Sequence, residues 1–180
     1  MYEHLFTSEN ISVESTCEYK HAGLYVDESI YVPNQQALRT KEFIPAQTVL
    51  SIQQCALSTH RTRTSIQVTE LFHAEADDCI RFANHSCQPN AAVISKYIDG
   101  AAYVTILLVS VRDIIGGDEI QFDYASTETT LTKELLFAPC LCNSPLCRKV
   151  LTGFSELTPT QKDQVAATLP VASHILKLYV

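Results

Sequence analysis

The chain has 180 residues, 46% of them hydrophobic and 18% charged, with a formal net charge of −7. That length holds one domain with a real core, or a domain and a small appendage, and the balance is that of a soluble globular chain. No apolar run of about 18 residues is present to cross a membrane, and an acidic chain without a basic patch disfavours direct nucleic-acid binding.

The first residues, MYEHLFTSENISVES, carry acids, no basic leader and no long apolar stretch, so they read as neither a secretory signal nor a transit peptide. Without a signal, seven cysteines point to a reducing, intracellular setting, cytoplasmic or nuclear. There, clustered cysteines serve metals or catalysis more often than disulfides. Cys17, Cys55 and Cys79 stand alone and read as buried free thiols.

In FIPAQTVLSIQQCAL, Ile44-Pro45-Ala46 predicts a turn, and Val49, Leu50 and Ile52 a short strand. His60, His73 and His174 have no ligand-like spacing and read as surface or core histidines. Further on, three strands are expected. Ala91 to Tyr97 is the first, Asp99-Gly100 signals a hairpin turn, and Ala102 to Ser110 is apolar enough to be buried on both faces. Gly116-Gly117-Asp118 turns the chain into a third strand, Glu119 to Asp123. Thr127 to Leu136 fits a short helix or a loop. In the tail, Thr158 is placed as an N-cap with Pro159 at the first helical position. Pro170 ends that helix, and Val171 to Tyr179 forms another. Strands first and helices last predict an α+β fold, mostly β, rather than alternating βαβ units. No dinucleotide-binding glycine fingerprint is present.

Two stretches stand out chemically. RFANHSCQPN, Arg81 to Asn90, is a dense polar run between apolar segments. It reads as a turn-rich loop through Asn84, Ser86 and Asn90, or as a site. His85 and Cys87 suggest a Cys-His nucleophile pair only weakly, since no partner acid is evident in the sequence. CLCNSPLC places Cys140, Cys142 and Cys147 about one turn. Three thiolates make an incomplete tetrahedron for zinc, and Cys87, in the other unusual stretch, is the attractive fourth ligand. The alternative is a coincidental cluster of buried thiols.

Taken in order, RFANHSCQPN, GGDEIQFDY and CLCNSPLC resemble the SET-domain protein lysine methyltransferases. They match that family's RFxNHSCxPN, GEELxFDY and post-SET CxCx4C motifs, and the resemblance spans roughly residues 35 to 155. The FDYxSTE and GFSELTP stretches resemble small stand-alone members. The resemblance implies a β-rich knotted fold with a zinc-bound post-SET segment. It implies methyl transfer from S-adenosylmethionine to a lysine of a protein or peptide, possible targets including histones. Zinc would be structural, held by Cys87, Cys140, Cys142 and Cys147.

By the same resemblance Tyr124 would sit at the reaction centre, and Phe122 would leave room for products beyond monomethyl-lysine. Asn84 and His85 would contact the cofactor, with Arg81 on the cofactor side. Leu141 would lie where the post-SET segment covers the cofactor. Phe154 would be an aromatic lid or ordinary core. Asn90 and Ser86 would hold the knot by backbone hydrogen bonds.

The division implied is an N-terminal extension (1–34), a SET domain (35–126), a post-SET zinc segment (127–155) and a helical tail (156–180). The family's glycine-rich cofactor loop has two competing matches, HAGLYV and NQQALRTKEFIPAQ. The second is preferred, LRTKEFIPAQ resembling FATRDIPAG. It puts Asn34 and Gln36 where glycines are expected, of which asparagine better tolerates a left-handed backbone. Arg148-Lys149 replaces the usual Arg-Gly after the last cysteine. These departures leave a second reading: a SET fold that has lost methylation and serves as a binding or scaffold protein, or acts on a small molecule.

Overall fold

Strand β1 is Tyr19–Lys20, β2 Leu24–Glu28, β3 Gln36–Thr40, β4 Val49–Ser58, β5 Ser65–Gln67 and β6 His73–Glu75; β7 is Asn84–His85, β8 Ala91–Tyr97, β9 Tyr103–Ser110 and β10 Gln121–Phe122. Helices α1, Pro159–Thr168, and α2, Ser173–Tyr179, follow. The computed structural model describes residues 19–76 and 79–179, so Cys17 and most of the N-terminal extension lie outside the described residues.

The largest sheet runs β5-β6-β4-β9-β8, with β1 also on β4. The β8–β9 hairpin follows from alternation and its turn: Gly100 takes φ +80°, open to glycine without cost. Val104, Ile106 and Leu108 of β9 enter the main core with Leu50, Cys55 and Val93. Leu107 and Val109, on the opposite face, are buried as well, so β9 is covered on both sides as its composition predicts. β4 is longer than expected and is the sheet's central partner, pairing β1, β6 and β9.

Residues 19–34, set apart in the sequence, contribute β1 on β4 and β2 antiparallel to β3. The expected third strand shrinks to β10, because the backbone at Glu119 and Ile120 turns to β3 instead and Asp123 already caps the 3-10 turn that follows. Thr127 to Leu136 forms turns, not a helix.

The tail packs a second, smaller core of Ala125, Phe154, Leu157, Val165, Leu169 and Ile175. Thr158 caps α1 in a reciprocal capping box with Gln161, and Pro159 opens the helix. Gly153 is required for close approach: a Cβ there would lie 2.4 Å from Thr130 Cα.

Candidate functional site

The site is built where two short strands cross. β7 and β10 pair in parallel, Asn84 opposite Gln121 and His85 opposite Phe122. Two residues per strand hold little on their own, so side chains do the fastening. Asn90, buried, donates from Nδ2 to Glu119 O (2.7 Å) and accepts from Gln121 N (2.8 Å) at Oδ1. The Ser86 amide donates to Phe122 O (3.0 Å) and the Ser86 hydroxyl accepts from Gln88 N (3.2 Å). Asn90 by its side chain and Ser86 by its backbone amide thus tie segment to segment.

Tyr124 follows β10 at the start of a 3-10 turn that Asp123 caps by accepting from Ala125 N. Its ring lies 5.1 Å from His85 and 5.0 Å from Phe122, centroid to centroid. Burial pushes its hydroxyl up to about 12, so it remains a phenol at neutral pH. The Tyr124 amide donates to His85 Nδ1 (3.3 Å). That makes Nδ1 an acceptor and leaves the ring proton on Nε2, which faces Cys87 Sγ at 3.3 Å.

Cys87 therefore has a histidine beside it and, through His85, an acid: Asp123 Oδ1 lies 3.7 Å from His85 Nδ1. A nucleophile triad is nonetheless the poorer reading. The Sγ atoms of Cys87, Cys140, Cys142 and Cys147 all lie within 4.8 Å of one another. Cys87 Sγ is 3.8 Å from Cys140 Sγ, and Zn–S bonds of about 2.3 Å put tetrahedral sulfurs about 3.8 Å apart. Backbone amides of Arg148 and Lys149 donate to Cys87 and Cys147 sulfurs, each at 3.3 Å. Cys140, then His85 and Arg148, hold the Cys87 thiol below the usual thiol range, against the opposing pull of burial. The donor set suits a metal that takes thiolates.

Arg148 joins this cluster to the crossing. Its guanidinium grips Asp123, 1% exposed, through two bonds of 2.7 and 2.6 Å. Sequence reasoning assigned neither residue a role; an acid inside FDY and an arginine directly after the last cysteine were the available signals. Glu119 was also missed. Its buried carboxylate accepts from Ser29 Oγ (2.8 Å) and from the Ile30 amide, anchoring the loop before β3.

Two recesses flank the crossing. One is a cleft walled by Val32, Gln35, Asn84, His85, Tyr124, Leu141 and Cys142. The other is lined by Ile66, Ile80, Ala83, Phe122, Tyr124 and Glu128, with Arg61, Arg63 and Arg81. Tyr124, Arg63 and Leu135 belong to both walls. Burial pushes the Glu128 carboxyl up to about 7 although Gln67 N donates to it (2.7 Å) and Arg61 lies 3.5 Å away.

Of the two competing cofactor loops, the second is at the cleft: Gln35 lines it and Gln36 O accepts from Asn84 Nδ2 (3.1 Å). Asn34 takes φ 59°, and Gln36 keeps a negative φ in β3, so only the residue that tolerates the left-handed region is asked to adopt it.

Arg81 is exposed at the rim of the second recess, its guanidinium over the Phe82 ring at 5.5 Å. Of the two places expected for Phe154 it takes the core one: it is 4% exposed in the tail's core, edge-on to Tyr179 at 5.4 Å.

Comparison with known proteins matches residues 4–125 to the family model described as SET domain. Histone-lysine N-methyltransferase ash1 of Drosophila melanogaster is 37% identical over 79 residues, which is 44% of this chain and 3% of that protein. The H3 lysine-36 specific histone-lysine N-methyltransferase of Eremothecium gossypii is 38% identical over 92 residues, 51% of this chain and 13% of its own length. This chain thus spans only a small part of those relatives. Among solved structures, KRYPTONITE in complex with mCHG DNA and SAH superposes with a TM-score of 0.51 at 22% identity, over 67% of this chain and 28% of that one. That likeness concerns the fold.

Proposed function

The chain belongs to the SET-domain family, and from that premise we propose that it transfers a methyl group from S-adenosylmethionine to a lysine side chain of a protein. The observation that carries the reading is the pair of recesses that share Tyr124. Methyl transfer needs donor and amine to approach one point from opposite sides, aligned and shielded from water.

In this reading the cleft holds the donor, which supplies an electrophilic methyl. Asn84 and His85 line the cleft's floor, and Leu141 covers it from the cysteine-rich segment. The second recess takes the lysine. The Tyr124 hydroxyl, kept protonated, orients the amine by hydrogen bonding. Phe122 carries no hydroxyl to hold a water beside the amine, leaving space for a partly methylated lysine and products beyond the first methylation. The amine must arrive neutral, so its proton leaves to solvent before attack.

Zinc is proposed at Cys87, Cys140, Cys142 and Cys147, where the sulfur spacing fits it. Its chemistry there is structural: it fixes Leu141 and Cys142 as the cleft's wall. The partner is a lysine-bearing protein, a histone tail being one possible class, and the thiolate cluster suits the reducing cytoplasm or nucleus. No helix among the described residues is long and apolar enough to cross a membrane. The reading of a fold that has lost methylation is weaker, since beside the cleft the left-handed position falls to Asn34 and not to Gln36.

The test is calorimetric titration of the zinc-loaded protein with S-adenosylmethionine, followed by turnover of Tyr124→Phe. Micromolar binding is expected, and a kcat loss of about 100-fold or more with donor affinity nearly unchanged. No binding up to millimolar donor, or equal losses in turnover and affinity, would sink the reading.

A further inference from the structure

The recess assigned to the lysine is ringed by arginines, although the chain carries a net charge of −7. Arg61 and Arg63 stand on the loop between β4 and β5, and Arg81 comes from the turn before β7. Arg61 is fixed from behind: its guanidinium donates to Thr130 O and lies 3.5 Å from Glu128. Arg81 is steadied by Phe82. Arg63 and Arg81 are exposed, and neither forms an ion pair among the described residues. Glu75 accepts from the hydroxyls of Thr62 and Thr64, and Glu134 lies within electrostatic reach of Arg63 without forming an ion pair with it.

Such a rim opposes the approach of a polybasic segment, because like charges brought together without counter-charge disfavour the encounter. It favours a segment that brings carboxylates with its lysine. It also suits the chemistry, since cationic neighbours lower the pKa of an incoming ammonium and raise the fraction of neutral amine.

We infer that the lysine this protein accepts lies in an acidic stretch of its protein substrate, with aspartate or glutamate flanking it and seated against Arg63 and Arg81. The inference rests on the assignment of the second recess to the lysine. It narrows the substrate class away from arginine- and lysine-rich tails.

Two peptides of equal length test it, each with a single lysine, one flanked by glutamates and the other by arginines. Binding to the full zinc-loaded chain is followed by fluorescence polarisation with S-adenosylmethionine present, and methyl transfer is measured on the same pair. The glutamate peptide should bind about tenfold more tightly at low salt, with the gap shrinking at 0.5 M salt as surface charges are screened. Arg63→Glu combined with Arg81→Glu should reverse the preference, and the corresponding double glutamine variant should abolish it. Both sites are exposed, and an unchanged melting temperature would verify folding. Equal or tighter binding of the arginine peptide, or a preference unmoved by the double variants, would overturn the inference. Tighter binding of the glutamate peptide with no methyl transfer to either would uphold the charge preference and overturn the methyltransferase reading instead.

Discussion

Strands β8 and β9 are registered from Ala91–Ser110 to Tyr97–Val104, whereas β7 and β10 share only Asn84–Gln121 and His85–Phe122. The large sheet is held by many equivalent contacts: backbone ladders and the burial of Val93, Val104, Ile106 and Leu108. The crossing is held by a few contacts, each different: one asparagine, one Asp–Arg pair and four converging sulfurs. The first kind of region tolerates a change at any one place and keeps its shape. The second kind fixes a few atoms for chemistry and depends on each fastener.

Breaking the crossing at its proposed metal site should give the largest effect. Structural zinc sites contribute about 10–16 kcal/mol of apparent binding energy at neutral pH. Cys142→Ser should lose most of the bound zinc and the ability to bind S-adenosylmethionine, while circular dichroism retains the sheet. Full metal content in that variant would remove the zinc assignment. Next comes the sheet. Ile106→Ala should lower unfolding free energy by about 2–5 kcal/mol in urea denaturation, with donor affinity preserved at temperatures where the protein is folded. Asn90→Ala reverses that pattern. It leaves Glu119 O and Gln121 N unsatisfied for about 2–3 kcal/mol, and donor affinity should fall out of proportion to stability. If Asn90→Ala and Ile106→Ala instead lower affinity alike, the two regions are one cooperative unit and the contrast fails.

The smallest effect is a gain. Gln47 and Lys149 take φ of 65° and 73° where the family's motifs carry glycine. Lys149→Gly should raise stability by about 0.5–1 kcal/mol as backbone strain is relieved. A lower melting temperature would mean that the Lys149 side chain has a use that its backbone strain conceals.

The same contrast decides what was legible in the sequence. β8, β9 and their turn have period, length and punctuation, so their bounds were readable almost to the residue. The capped start of α1 was equally plain, because Thr158, Pro159 and Gln161 carry the signal locally. A two-residue strand such as β7 has no period, and β5 and β6 are hardly longer, so only motif resemblance marked the crossing. Three of the four cysteines were legible from their CxCx4C spacing, and Cys87 only because it stands in the other unusual stretch. Asp123 and Arg148 were not, because their partnership is made by folding across Cys140 to Cys147. Where Arg81 and Phe154 point was not legible for a related reason: direction out of a 3-10 turn, or into a tail's core, is set by tertiary contacts that a linear motif does not encode.

One earlier feature also bears on time. The β7–β10 pairing is parallel, and the entire β8–β9 hairpin lies between its two strands. We expect the crossing to close around a hairpin that has already formed, with the cysteine-rich segment sealing it afterwards. Local pairing precedes distant pairing because less chain entropy is lost in making it. During refolding, amides along β8 and β9 should gain protection from exchange before those of Ser86 and Gln121, which donate across the crossing. Simultaneous protection in pulse-labelling would contradict this order. A newly made chain would then pass through a sheet-complete stage with its chemistry still unassembled, and the supply of metal would set when it becomes competent.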